Sequence, residues 1–253
     1  MCRMIAKVSK VESSIMEEMT KCPYSLHYLS ANGKVIDGNK ERGEHRDGCG
    51  IALVNNNNIL IEKRDREHAW DDSYIDFVNK AKSKIFIAHN RQTSKGLETN
   101  IEGSHPFHLF ANGLSYAFSH NGTVYNYIDE AKKRNTSDTL IFFEHLIKQN
   151  ESNTPQQILK RLEHIKATTN FSSLTAFLMS PAFLIAWRIF DEHDKEKISK
   201  RKDYYTLYTK ESDDNIVISS EPLDDDEWDM MPNNEALIIT PMGSQLTIEE
   251  VTL

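Results

Sequence analysis

Along this 253-residue chain the spacing of apolar side chains switches repeatedly between two and about 3.6, so the fold must combine strands with helices. Met4, Ala6 and Val8 alternate as in a strand. Ile51–Val54 and Ile59–Ile61 flank Asn55–Asn58, a run that tolerates tight turns, which predicts a hairpin. Lys84–Ala88 reads as a short buried strand ending at His89, and Leu114–Ser119 as another ending at His120. Two helices follow. Ser137 or Asp138 can cap a segment whose Leu140, Phe143 and Ile147 share one face. Thr154-Pro155 supplies a cap and a first-turn proline before Ile158, Leu162 and Ile165. The last third returns to strands at Leu174–Met179, Phe183–Phe190, Tyr204–Thr209, Asn215–Ser219, Ala236–Thr240 and Gln245–Val251. Strands, then two helices, then strands predict packed sheets with the helices segregated outside. No repeat or low-complexity linker divides the chain, so residues 1–253 read as one domain, with the charged stretch Lys195–Lys202 a solvated loop.

Composition narrows the function classes. Hydrophobic residues at 39% and charged residues at 27% are ordinary for a globular chain, and a net charge of −8 lacks the electrostatic footprint of a nucleic-acid binder. No apolar run approaches the ~20 residues a membrane helix needs; the longest, Ala182–Trp187, has strand length. The N-terminus has no apolar core followed by a cleavage site, so a secretory signal is not expected. Cys2, Cys22 and Cys49 are odd in number and form no CxxC pair, which reads as free thiols in a reducing cytoplasm. Neither metal-ligand spacing nor a nucleotide-binding glycine motif occurs, so neither metal nor cofactor is expected.

Cys2 carries the most chemistry. Removal of Met1 would leave it at the amino terminus, with nucleophile and base in one residue. A free thiol titrates near about 8.5 and an α-amine near about 7.7–8.0, so the amine can take the thiol proton at neutral pH. Downstream lie HRDGCGIAL (His45–Leu53), AHNRQTSKG (Ala88–Gly96), GSHPF (Gly103–Phe107), SHNGT (Ser119–Thr123), TSDTL (Thr136–Leu140) and SSEPLDDD (Ser219–Asp226). An amide side chain and a backbone N–H side by side, as at Asn121 and Gly122, can both point at one developing oxyanion, although His-Asn-Gly also fits a hairpin turn. The Arg91 guanidinium can grip a carboxylate bidentately, which a lysine cannot.

Taken in order, these segments resemble the class II glutamine amidotransferases, N-terminal-nucleophile hydrolases, in the single-domain branch that begins Met-Cys-Arg. The resemblance implies an α+β fold, a four-layer αββα sandwich of two antiparallel sheets between helical layers. It implies hydrolysis of the side-chain amide of glutamine or another γ-glutamyl compound through a thioester on Cys2. Asn121 and Gly122 would form the oxyanion hole. Arg91, assisted by the Ser94 hydroxyl, would hold the α-carboxylate, and Asp138 the α-ammonium. His89, His105 and His120 are expected to make structural hydrogen bonds.

Some positions depart from the pattern. Cys49 stands in DGCG where relatives commonly carry an aromatic, which would alter the wall near the pocket. Gln92–Lys95 replaces the usual Ala-Thr/Ser core of the clamp loop, with Gly96 as a hinge, and Lys95 beside Arg91 could admit a second carboxylate. Ammonia would pass to a separate synthase subunit, since the chain ends once the catalytic domain is complete. Alternatively, the protein hydrolyses γ-glutamyl metabolites with no acceptor, or keeps the fold only to bind. A second copy of the chain is a further partner the sequence allows. The acidic run Asp224–Asp229 reads as a solvated turn.

Overall fold

The alternating segments pair into two large sheets, antiparallel throughout, in a computed structural model that describes residues 2–35, 41–93, 100–192 and 202–253. The strands are β1 (Arg3–Ser14), β2 (Gly33–Lys34), β3 (Arg42–Gly43), β4 (Gly48–Asn55), β5 (Asn58–Asp65), β6 (Lys82–Asn90), β7 (Phe107–Ala111) and β8 (Leu114–Val124). They continue as β9 (Phe171–Met179), β10 (Leu184–Arg188), β11 (Tyr208–Glu211), β12 (Asn215–Ser219), β13 (Asp229–Met230), β14 (Glu235–Met242) and β15 (Gln245–Thr252). The helices are α1 (Leu26–Asn32), α2 (Asp72–Lys80), α3 (Ile128–Lys133), α4 (Asp138–Leu146) and α5 (Pro155–Thr168). One sheet has the order β13-β11-β12-β1-β6-β4-β5 and the other β15-β14-β10-β9-β8-β7, while β2 and β3 pair apart.

Period-2 burial sets the layers. Met4, Ala6 and Val8 of β1 meet Ala117, Phe177 and Met179 of the second sheet in an apolar layer between the sheets. The opposite face of the first sheet, through Ile5, Ile51 and Phe86, is covered by α1 and α2. The outer face of the second, through Phe118, Leu174 and Trp187, is covered by α4 and α5. The fold is therefore the α+β, four-layer αββα sandwich implied by the resemblance. No helix among the described residues is long and apolar enough to cross a membrane.

Local chemistry accounts for the boundaries. Ser137, rather than Asp138, caps α4 by accepting from the Leu140 N–H, and Thr154 caps α5 ahead of Pro155. The β4–β5 hairpin closes through Asn56 and Asn57, both at positive φ (49° and 60°), as a mirror-image two-residue turn requires. Four expectations need correction. β8 does not end at His120 but runs to Val124, so His-Asn-Gly is strand and not a turn. Helices are not confined to the middle: α1 and α2, capped by Ser25 and Asp71, lie among the early strands. β7 is an additional strand. Tyr204 belongs to a helical turn, and pairing starts only at Tyr208. Met1, Ser94, Lys95, Gly96 and the stretch from Lys195 to Arg201 lie outside the described residues.

The head of β1 is anchored by a buried ion pair. Arg3 Nη1 donates to Glu221 Oε1 at 3.1 Å, with both side chains almost fully buried. The same carboxylate accepts from the Lys34 N–H at 2.7 Å and from Arg42 at 3.1 Å, and the Arg3 guanidinium stacks over Tyr204 at 4.5 Å. Ser220 closes the clasp: its Oγ accepts from the Met4 N–H, and its own N–H donates to the Met4 carbonyl. Removing one partner of a buried pair leaves the other uncompensated, so Glu221→Ala should lower the unfolding free energy by about 3–5 kcal/mol in urea titration. An unchanged midpoint would show that this clasp contributes nothing to stability.

Candidate active site

Cys2 immediately precedes β1, a central strand, and shares the inward face of Met4 by period-2 alternation. Its side chain is buried, 8% exposed. Across the interlayer, Asn121 of β8 lies on the same face as Ala117 and reaches it. The Cys2 N–H donates to Asn121 Oδ1 at 3.4 Å, and Asn121 Nδ2 donates back to the Cys2 carbonyl at 3.2 Å. The sulfur is met by the backbone of Gln92, whose N–H points at Sγ from 3.4 Å.

Gly122 follows Asn121 where two backbones nearly touch. A Cβ there would sit 2.0 Å from the Ser173 carbonyl oxygen, so no other residue fits. The Ser173 carbonyl also accepts from His120 Nε2 at 2.9 Å. A carbonyl can only accept, so Nε2 carries the proton and Nδ1 of the neutral ring takes the Thr139 hydroxyl at 3.0 Å. His120 is thereby a structural brace between β9 and α4. Asp138, half-buried in the first turn of α4, accepts from the Val124 N–H at 2.8 Å and so terminates β8 three residues beyond Asn121.

Arg91 leaves the end of β6 half-buried. Its Nη1 donates to the Asn100 carbonyl at 3.4 Å, and a Cβ on Gly103 would approach the guanidinium to 2.9 Å, so Gly103 forms the floor of its seat. Burial pulls the Arg91 guanidinium below its usual range, while Cys2 and Asp47 favour its charge. Cys2, Asn121, Gly122 and Arg91 thus gather at one end of the interlayer, with Asp138 at its margin; Ser94 lies outside the described residues.

The other thiols differ from Cys2 in place and chemistry. Cys49 faces the outer layer with Trp70 and Tyr74, not the pocket wall expected of it, and burial pushes its thiol up to about 12. Burial, then Glu17 and Glu18, push Cys22 up to about 11. Sequence reasoning assigned no role to Arg3, Glu221 or Asp47. All three sit in quoted segments, but only their contacts show what each does. Among the described residues no group of three or more His, Cys, Asp or Glu side chains is disposed to hold a metal ion.

The rings of His89 and His105 lie 4.2 Å apart, tilted by 56°, near Arg91, and burial holds both well below the usual histidine range, with Arg91 next in effect on His89 and His89 next on His105. Both stay neutral in the fold, whereas the unfolded chain protonates them below about pH 6.5. Stability they contribute above that pH is lost as pH falls toward their depressed folded values, by about 1.4 kcal/mol per pH unit per histidine. His105→Leu should therefore flatten the acid limb of a stability–pH curve by one proton's slope. An unchanged slope would contradict this.

Residues 2–181 match the class-II glutamine amidotransferases, and the chain belongs to that family. It is 24% identical over 224 residues to an uncharacterized protein of Methanocaldococcus jannaschii, a match covering 79% of this chain and 62% of that one. Its fold is similar to the glutamine phosphoribosylpyrophosphate amidotransferase of Bacillus subtilis (TM-score 0.63, 15% identity, 98% of this chain, 49% of that one). A glutamine aminotransferase class-II domain protein of Silicibacter pomeroyi superposes over 99% of both chains (TM-score 0.59, 15% identity). The chain thus spans less than two thirds of the M. jannaschii protein and about half of the B. subtilis enzyme.

Proposed function

We propose that residues 1–253 act as one cytoplasmic amidotransferase domain that, once Met1 is removed, hydrolyses the side-chain amide of glutamine or a related γ-glutamyl compound. The observation that carries the reading is the reciprocal grip of Asn121 on both backbone atoms of Cys2, with Arg91 in the adjacent loop. The freed α-amine of Cys2 takes the thiol proton, directly or through one water. Sulfur attacks the amide carbon, and the C–S bond forms as the carbonyl oxygen takes the negative charge. Asn121 and the Gly122 N–H stabilise that oxyanion. The C–N bond then breaks, and the leaving nitrogen recovers the proton from the α-ammonium. Water then attacks the thioester as the Cys2 α-amine takes one of its protons, the C–S bond breaks, that proton returns to the sulfur, and the glutamyl acid leaves.

Arg91 and Ser94 hold the α-carboxylate and Asp138 the α-ammonium, which selects a free glutamyl head. The proposed steps use protein groups and water. Released ammonia passes to a separate synthase subunit or, with γ-glutamyl metabolites, an amine simply leaves.

Glutamate release by Met-processed protein, offered glutamine and a panel of γ-glutamyl peptides, tests the reading. Cys2→Ala should abolish release, and Asn121→Ala should lower kcat by about 10²–10³, the effect of losing one oxyanion donor. Release that survives Cys2→Ala, or none from any substrate by the wild-type protein, would overturn it. Preference within the panel separates ammonia supply from γ-glutamyl breakdown.

A further inference from the structure

The nucleophile and the arginine clamp are joined by one residue that neither touches the amide in the proposed reaction nor belongs to either strand carrying them. Asp47 sits in the turn before β4. Its backbone N–H donates to the Arg91 carbonyl at 2.9 Å, and the next carbonyl, that of Gly48, accepts from the Arg91 N–H at 2.8 Å. Its carboxylate is used at both oxygens. Oδ2 accepts from the Thr93 N–H at 2.8 Å, and Oδ1 faces Arg66 Nη1 at 3.6 Å. The carboxylate also favours the charge on Arg91.

Between Arg91 and Thr93 lies Gln92, and its peptide N–H is the group aimed at the Cys2 sulfur. A peptide flanked by two anchored residues has little freedom to rotate, because only its neighbours' φ and ψ can turn it. The Gln92 side chain adds a third tie, from Nε2 to the Glu44 carbonyl at 3.0 Å. Arg91 and Thr93 are both held by Asp47, one through backbone and charge, the other through the carboxylate.

We propose that Asp47 is a positioning residue that couples clamp to nucleophile: through Thr93 and Arg91 it fixes the Gln92 N–H on the Cys2 sulfur and the Arg91 guanidinium over the glutamyl head. The role deepens, and rests on, the amidohydrolase reading above. Asp47 is not in contact with the reacting atoms, so its loss leaves every proposed catalytic group in the chain and acts only through their placement.

Two readouts on Met-processed protein test it. The first, the rate of Cys2 alkylation by iodoacetamide followed by peptide mass, needs no substrate and reports the sulfur's surroundings even if the hydrolase reading fails. The second is the division of any kinetic loss between KM and kcat for glutamate release. D47A should change the alkylation rate, raise KM and lower kcat together, with kcat/KM reduced by up to about 10²-fold, as expected for misplaced reacting groups. D47N keeps an acceptor for the Thr93 N–H and should restore the alkylation rate and kcat, leaving a raised KM from the lost charge beside Arg91. Should D47A fail to fold, D47E, which moves the oxygens one methylene outward, carries the same expectation as D47A. Alkylation altered in D47A, together with no glutamate release by the wild-type protein, would uphold the positioning of the sulfur and remove the hydrolase reading. Wild-type alkylation and kinetics in D47A, or a loss in D47N equal to that in D47A, would overturn the proposal.

Discussion

Cys2 is tied to Asn121 by two hydrogen bonds that cross from one sheet to the other, and most of the architecture can be understood as what those bonds require. The two residues are 119 positions apart, so only a tertiary arrangement can join them. The apolar layer from Met4, Ala6 and Val8 against Ala117, Phe177 and Met179 sets the separation of the sheets. Where that layer reaches its end, the same alternation turns Cys2 and Asn121 toward each other. A one-residue slip of either strand would point one of them into a helical layer instead.

That precision needs both strands fixed at their ends. β1 is held by Glu221 and Ser220 from behind, β8 by Asp138 on the Val124 N–H and by His120 braced between Ser173 and Thr139. Gly122 permits the close approach of β8 to the Ser173 carbonyl on which this bracing depends. Arg91 is likewise seated from several sides, on Gly103 and Asn100 below and on the Asp47–Gly48 backbone beside it. The buried, neutral pair of His89 and His105 near Arg91 suits a charged guanidinium, since a protonated ring there would oppose it.

Much of the framework was legible where a local rule decides the conformation. Caps at Ser137 and Thr154, the proline after Thr154 and the asparagines of the β4–β5 turn each act through their own neighbours. Expectations missed where distant packing decides. His-Asn-Gly is a good turn sequence by local rules, yet β9 pairs with it and keeps it extended. α1, at seven residues, is too short to show a helical period and owes its form to the sheet it covers. α2 is as long as α4 and carries its own signals, the Asp71 cap and the buried pair Tyr74 and Val78, which the reading of that stretch passed over. In the site, chemistry by residue type pointed to Cys2, Asn121 and Arg91. The clasp of Arg3 by Glu221, 218 positions away, has no local signature. Nor does the double use of the Asp47 carboxylate, because ion pairs and backbone contacts of this kind are set by topology.

The central claim is that one thiol of three is built to attack a γ-glutamyl carbonyl, and covalent capture tests it most directly. A glutamine analogue with an electrophilic ketone in place of the side-chain amide, incubated with Met-processed protein, should add one label, found by peptide mass on Cys2. Excess glutamine should protect against it and Arg91→Ala should weaken it. Labelling spread over Cys22 and Cys49, or none that glutamine prevents, would contradict the account.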